Sequence, residues 1–388
     1  MKSFSLLLLV VSPLFIAVNA SPNIRDAPTT TVDIQDGQTG TLMVLPPRQT
    51  DTGTKNVPDA NHPFIAPGPN DMRGPCPAMN TLANHGYISR NGITSFEEII
   101  NGAGEAFNID RDMAAGMAAL NILTRGNPFV NKISIGLVSP LVPPLPGQID
   151  GPETQGIAKH GRVEGDGSMT RSDVHIGDNR NFNQTLWDEG LEVLAKFGDD
   201  GPDGPATVFN LQAGIELVNQ TLVSDQVLDP EVDRFSFWSK YFLNTDSNGI
   251  DTDSVASVFA NGTTKLATKR IITTFFMNQT FPENWFRPQA PVLGSNSPIA
   301  GEVAAALSDW VPGHNDENGV FVADPRPPAP FNSTSGCANY WDVLSNAVPA
   351  ALANVTGIFK QNVDLLTGIL FNASGCAEPI APAGPTNV

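Results

Sequence analysis

Thirty-five glycines and 33 prolines are spread through the 388 residues, and nothing else in the sequence limits the fold so strongly. Proline removes a backbone donor and breaks helix interiors, while glycine weakens helices and strands alike. The two types follow no fibre-like period, and no internal repeat accompanies them. Such punctuation predicts short packed elements joined by long irregular connections. One connection falls within 136–162, where Pro140, Pro143, Pro144, Pro146 and Gly147 cluster and apolar periodicity is absent.

Helix signals dominate after residue 78. Ser95 with Glu98, or equally Thr94 with Glu97, has capping-box spacing ahead of Ile99 and Ile100. Asp110 to Leu123 reads as an Ala- and Met-rich helix stopped by Gly126-Asn127-Pro128. Thr185 to Phe197 repeats apolar residues at helical spacing and ends at Gly198. Further helical patterns run through 207–223, 265–278, 299–310 and 340–371, whereas alternating strand patterns are sparse. The expected fold is mainly α, a single helical domain with one core and long Pro/Gly-rich loops.

The ends read differently. Residues 1–20 have the form of a removable signal: Lys2, an apolar run from Leu6 to Val18, then Val18-Asn19-Ala20. The run is too short for the roughly 20 residues of a membrane span. Residues 21–58 are rich in Thr, Asp, Gly and Pro without helical or strand period, which predicts a disordered tail or propeptide. The organised domain is then 59–388. Sequons at Asn183, Asn219, Asn261, Asn278, Asn332, Asn354 and Asn372 predict N-glycans on a secreted, extracellular product. With Lys+Arg 22 against Asp+Glu 40 and no basic run, nucleic acid and anionic membranes are excluded as partners.

An exported chain usually pairs its cysteines, yet this one has three: Cys76, Cys337 and Cys376. Ser335-Gly336-Cys337 and Ser374-Gly375-Cys376 are similar settings flanking the C-terminal helical pair. A bridge between them would close a loop of about 40 residues and contribute about 2–4 kcal/mol. Cys76 lies in Arg73-Gly74-Pro75-Cys76-Pro77. Pro77 suits the first helical position and Gly86 the C-terminal cap. Cys76 is thereby placed at a helix N-terminus, where free N–H groups and the dipole favour a thiolate, a good soft-metal ligand. The residues alone favour an inert buried thiol over a ligand.

Together with Asn80-Thr81-Leu82-Ala83-Asn84-His85-Gly86-Tyr87, that segment resembles the proximal motif of the fungal haem–thiolate peroxidases, the chloroperoxidases and unspecific peroxygenases. Glu164-Gly165-Asp166-Gly167-Ser168-Met169-Thr170-Arg171 resembles the Glu-Gly-Asp signature of the longer peroxygenases. Phe275-Phe276, Phe281-Pro282 and Trp285-Phe286-Arg287 extend the similarity over roughly 60–290. The resemblance implies a chloroperoxidase-like haem-binding fold, haem b with its iron on Cys76, and Mg²⁺ held by Glu164, the Gly165 carbonyl and Ser168. It also implies a Cys337–Cys376 disulfide. Thiolate ligation favours O–O cleavage, and Mg²⁺ takes oxygen ligands.

The pattern breaks at the distal acid–base, a glutamate seven positions after an arginine in the longer family members. Here Tyr241 stands seven after Arg234. Glu231 and Asp233 are the nearest carboxylates, but they precede the arginine. His160 and His175 flank the Glu-Gly-Asp motif and are conceivable substitutes. Loss of a positioned general base typically costs about 10²–10⁴-fold. Phe235, Phe237, Phe242, Phe275 and Phe276 could form an apolar channel or simply pack a core.

The function expected is a secreted peroxygenase or peroxidase using hydrogen peroxide on apolar or aromatic substrates. The alternatives are a haem-binding protein with little turnover, a cysteine hydrolase built on Cys76 and His85, and a structural cell-wall glycoprotein.

Overall fold

The computed structural model describes residues 31–34, 38–145, 155–159, 168–172, 177–228, 258–292, 313–315, 320–323 and 325–383. The signal-like segment 1–20 and the helical pattern at 299–310 lie outside them.

Among the described residues, eight α-helices carry the fold: α1 (Pro77–His85), α2 (Phe96–Phe107), α3 (Arg111–Arg125), α4 (Gln184–Phe197), α5 (Leu211–Leu228), α6 (Lys269–Phe276), α7 (Ser335–Asp342) and α8 (Gly357–Ser374). The strands form four antiparallel ribbons of two, too small to make a layer: β1 (Thr31–Ile34) with β2 (Gln38–Thr41), β3 (Ile93–Thr94) with β4 (Ile133–Ser134), β5 (Asp199–Gly201) with β6 (Gly204–Val208), and β7 (Gly313–Asn315) with β8 (Phe321–Ala323). The architecture is mainly α, as the punctuated sequence predicts.

Local capping sets most helix ends. Of the two capping registers ahead of α2, Ser95 is the one used, its Oγ accepting from the Glu98 N–H at 3.2 Å. The Glu98 carboxylate instead receives the hydroxyls of Ser89 and Thr94, anchoring the preceding loop. Asp110 caps α3, Asn183 caps α4 and Thr268 caps α6. The pattern at 340–371 divides into two helices. α7 ends at Asp342, a π turn spans Val343–Ala347, and α8 starts only at Gly357. Pro349 cannot supply an N–H to a continuous helix.

The core is centred on α3, which packs against α2 and α8. Ala114, Ala115, Ala118 and Ala119 are buried there, and such small side chains let neighbouring helices approach closely. Phe129 stacks on Phe359 of α8 with ring centroids 4.1 Å apart. Asn362 of α8, fully buried, accepts the Met43 N–H and donates to the carbonyls of Thr41 and Pro128, all at 2.7–2.8 Å.

Those bonds correct the reading of 21–58 as a loose tail, for residues 40–58 belong to the domain. Met43 and Val57 are buried, and the Val57 N–H donates to the Trp285 carbonyl at 3.0 Å. The Arg287 guanidinium, 1% exposed, donates to the carbonyls of Asp51, Gly53 and Glu105. A segment with no hydrophobic period of its own is ordered by backbone partners supplied from elsewhere.

A disulfide joins Cys337, near the start of α7, to Cys376 just beyond α8, and leaves Cys76 as the free thiol. No helix among the described residues is long and apolar enough to cross a membrane.

Candidate active site: a thiol beside an apolar cavity

The loop entering α1 is fixed by α1 itself. Asn80, fully buried, grips Gly74 from both sides: its Oδ1 accepts the Gly74 N–H at 2.9 Å and its Nδ2 donates to the Gly74 carbonyl at 2.8 Å. Asn84 accepts from Arg73 Nε at 2.8 Å and donates to the Gln279 carbonyl at 2.9 Å. Gly74 and Gly136 let two backbone segments touch. A Cβ on Gly74 would overlap the Ile135 carbonyl oxygen, and one on Gly136 would lie 2.6 Å from the Arg73 oxygen. Cys76 is the N-cap of α1, Pro77 opens the helix, and Gly86 closes it in the left-handed region at φ 75°.

The Cys76 side chain, 8% exposed, is among the residues that line an apolar cavity. Met79 and Leu82 of α1, Ile99, Ala103 and Phe107 of α2, and Met113 and Met117 of α3 line it, with Asn121 as the polar residue. Apolar walls with few polar groups are the usual lining of a cofactor or small-molecule site.

Burial pushes the Cys76 thiol pKa up; the backbone N–H groups of Met79 and Ala78 and the Arg171 charge pull the other way without prevailing. In the metal-free chain desolvation opposes the charge that the helix N-terminus favours. A coordinated metal reverses this, since a ligating thiol is deprotonated outright.

Arg171, at the end of the segment that resembles the Glu-Gly-Asp signature, takes its place in the site only through the fold. It is 2% exposed, donates to Thr170 Oγ1 at 2.6 Å and the Phe276 carbonyl at 3.3 Å, and stands 6.0 Å from the Phe182 ring centroid. Its Nε has no hydrogen-bond partner among the described residues. Burial lowers its pKa to about 10, with the negative forms of Cys76 and Asp178 opposing the fall. A buried cation with an unused donor in the field of the sulfur suits a site completed by an anionic group.

His85 does not pair with Cys76. It ends the nine-residue α1 that Cys76 begins, about 1.5 Å of rise per residue away. Its Nδ1 is 2.9 Å from the His62 carbonyl and its Nε2 is 2.9 Å from Thr280 Oγ1, so both nitrogens are engaged. This geometry removes the cysteine-hydrolase reading. Asp59, His62 and Glu105 bring ligand-type atoms within 4.8 Å of one another, but Lys55 already supplies a cation, with Nζ 3.0 Å from Asp59 and 3.2 Å from Glu105.

Of the proposed Mg²⁺ ligands, Ser168 is described: its Oγ accepts the N–H groups of Thr170 and Arg171 at 3.4 and 3.3 Å. Glu164 and Gly165 lie outside the described residues, as do Glu231, Asp233, His160, His175 and the stretch from Arg234 to Tyr241. Phe275 is wholly buried among Phe107, Phe259, Phe281 and Trp285, and Phe276 packs on Phe259; neither lines the cavity.

Fold and site together define a helical protein built around an apolar cavity, with a thiol presented to it from a helix start. The chain belongs to peroxidase family 2, whose model matches residues 62–290. It is 28% identical over 343 residues, covering 86% of each chain, to an aromatic peroxygenase of Cyclocybe aegerita. It is 41% identical over 148 residues to an aromatic peroxygenase of Coprinellus radians, covering 38% of this chain and 55% of that one. Over 41 residues, 11% of each chain, it is 54% identical to a chloroperoxidase of Leptoxyphium fumago. Membership makes the protein a peroxide-dependent oxidoreductase and implies haem.

Proposed function

We propose that the protein is a secreted haem–thiolate peroxygenase or peroxidase that uses hydrogen peroxide to oxidise apolar or aromatic compounds. The observation that carries the reading is the Cys76 sulfur at the head of α1, facing an apolar cavity. Cys76 would bind the haem iron, and the walls from α1, α2 and α3 would bury the macrocycle. Bound haem supplies peroxide activation, which a thiolate ligand favours. The chain's own residues hold the sulfur: Asn80 locks Gly74, and the Ala78 and Met79 N–H groups steady the anion once a proton has left. Apolar side chains keep water from the reacting space. Aromatic substrates are drawn from the names of the two peroxygenase relatives and from the apolar lining. Glu164, the Gly165 carbonyl and Ser168 would hold Mg²⁺, whose oxygen preference matches this donor set.

The test is an absorption spectrum of the reduced CO complex, followed by a peroxide assay on veratryl alcohol or naphthalene. A long-wavelength Soret band of the thiolate type and peroxide-dependent product are expected. Tyr241, in place of the distal glutamate, favours a second reading, a haem protein with little turnover. Haem-loaded protein that converts neither compound over a wide pH range decides for it.

Export rests on the signal-like residues 1–20, and N-glycans on the seven sequons, of which Asn278, Asn332, Asn354 and Asn372 are exposed. Glycosidase treatment is expected to lower the mass of the secreted protein, and an unchanged mass removes the glycan proposal.

A further inference from the structure

We propose that Tyr87 is a redox-active residue that passes electrons from phenolic donors at the surface to the buried site, giving the protein a second oxidising activity that needs no entry to the cavity. The proposal rests on the haem reading above.

A continuous run of rings connects the two places. Phe107 lines the cavity, and its ring centroid lies 5.3 Å from Phe281 and 5.8 Å from Trp285. Phe281 is 5.3 Å from Trp285 and 5.9 Å from Tyr87. Tyr87 then stacks on His62 at 3.8 Å, with the planes 12° apart. His62 Nδ1 is 2.8 Å from Asp59 Oδ1, and the Asp59 side chain is 26% exposed. Ala60, Asn61 and Pro63, beside that pair, are exposed. Electron tunnelling weakens steeply across gaps, so rings in contact conduct far better than separated ones.

Trp285 and Tyr87 are the readily oxidised members of the run. Trp285 is wholly enclosed, its indole N–H donating to the Phe259 carbonyl at 2.9 Å, so it serves as a relay. Tyr87 stands nearer the surface. Its hydroxyl is buried near the Asp59 backbone without a well-formed hydrogen bond among the described residues, and burial together with the Asp59 and Glu105 charges holds it as the neutral phenol. The Glu105 side chain is 45% exposed and opens that corner to solvent.

In the step proposed, Tyr87 loses one electron through Phe281, Trp285 and Phe107 while its O–H proton leaves to solvent past the two carboxylates, forming a phenoxyl radical. One hydrogen peroxide takes two such electrons and two protons and becomes two waters. Each oxidised Tyr87 regains an electron and a proton from an external phenol, which departs as its own phenoxyl radical. The net reaction is two phenols and one peroxide to two phenoxyl radicals and two waters.

The test is freeze-quench electron paramagnetic resonance of the haem-loaded protein after peroxide, without substrate. A tyrosyl radical is expected, its splitting collapsing when the protein is grown on ring-deuterated tyrosine. Only three tyrosines are present, which simplifies assignment. Tyr87→Phe should lose the signal and Tyr340→Phe retain it. Tyr87→Phe removes one hydroxyl and keeps the ring in its stack on His62, and a thermal melt close to that of the parent checks that the fold is kept. The same variant should lose oxidation of phenol-substituted dextran, too large for the cavity, while naphthalene turnover persists. A radical that survives in Tyr87→Phe, or none in protein that converts naphthalene, overturns the proposal. Protein that takes up no haem overturns the functional reading on which it rests.

Discussion

Protein carrying Cys76→Ala is expected to purify without haem and to show no long-wavelength Soret band after reduction under CO. The Cys76 sulfur is the one thiol in a cavity otherwise walled by aliphatic, aromatic and thioether side chains and Asn121. Its replacement leaves iron facing a methyl group. Cys76 makes no side-chain capping bond to α1, so the helix start does not depend on the sulfur. Pro77 and the Asn80 clamp on Gly74 remain in place. A thermal melt of the metal-free variant should therefore lie close to that of the metal-free parent, separating loss of a ligand from loss of the fold. Cys76→Ser offers a harder oxygen donor and should not restore the thiolate band. An unchanged CO spectrum in either variant removes the basis for placing iron at this position.

Gly74→Ala should be almost as damaging for a different reason. The added methyl would overlap the Ile135 carbonyl, a backbone atom that cannot swing aside. Overpacking a tight site costs about 1–3 kcal/mol and sometimes more, and here the strain falls two residues before Cys76. The expected outcome is a clear fall in melting temperature together with poor haem retention. Gly368→Ala is the control. It lies within α8 with nothing within 4 Å of the new methyl, and a helical glycine replaced by alanine gains roughly 0.5–1 kcal/mol. Equal melting temperatures for the two variants would contradict the close-approach account.

The local parts of this molecule were legible in its sequence. Pro77 and Gly86 bracket α1 because proline and glycine report on their own backbone positions, and the stops at Gly126 and Gly198 follow the same logic. The matching settings of Cys337 and Cys376 pointed to their bond. What failed to show depends on partners distant in the chain. The order of residues 40–58 comes from Asn362, Trp285 and Arg287, and no periodicity within the segment hints at them. Asn80 and Gly74 sat inside a recognisable motif, yet their mutual grip appears only when the loop is seen to fold back on the helix. The balance at the thiol was not legible either, because burial, which opposes the charge on the free sulfur, is a property of the packed molecule.

The bonds of Asn362 carry a consequence for biosynthesis. Thr41, Met43 and Pro128 leave the ribosome long before residue 362 does, yet their backbone groups are satisfied by that one amide. The growing chain must carry them unpaired or hydrated until α8 emerges. The domain therefore closes only once α8 has been made, with that helix acting as the piece that locks residues 41–43 in place.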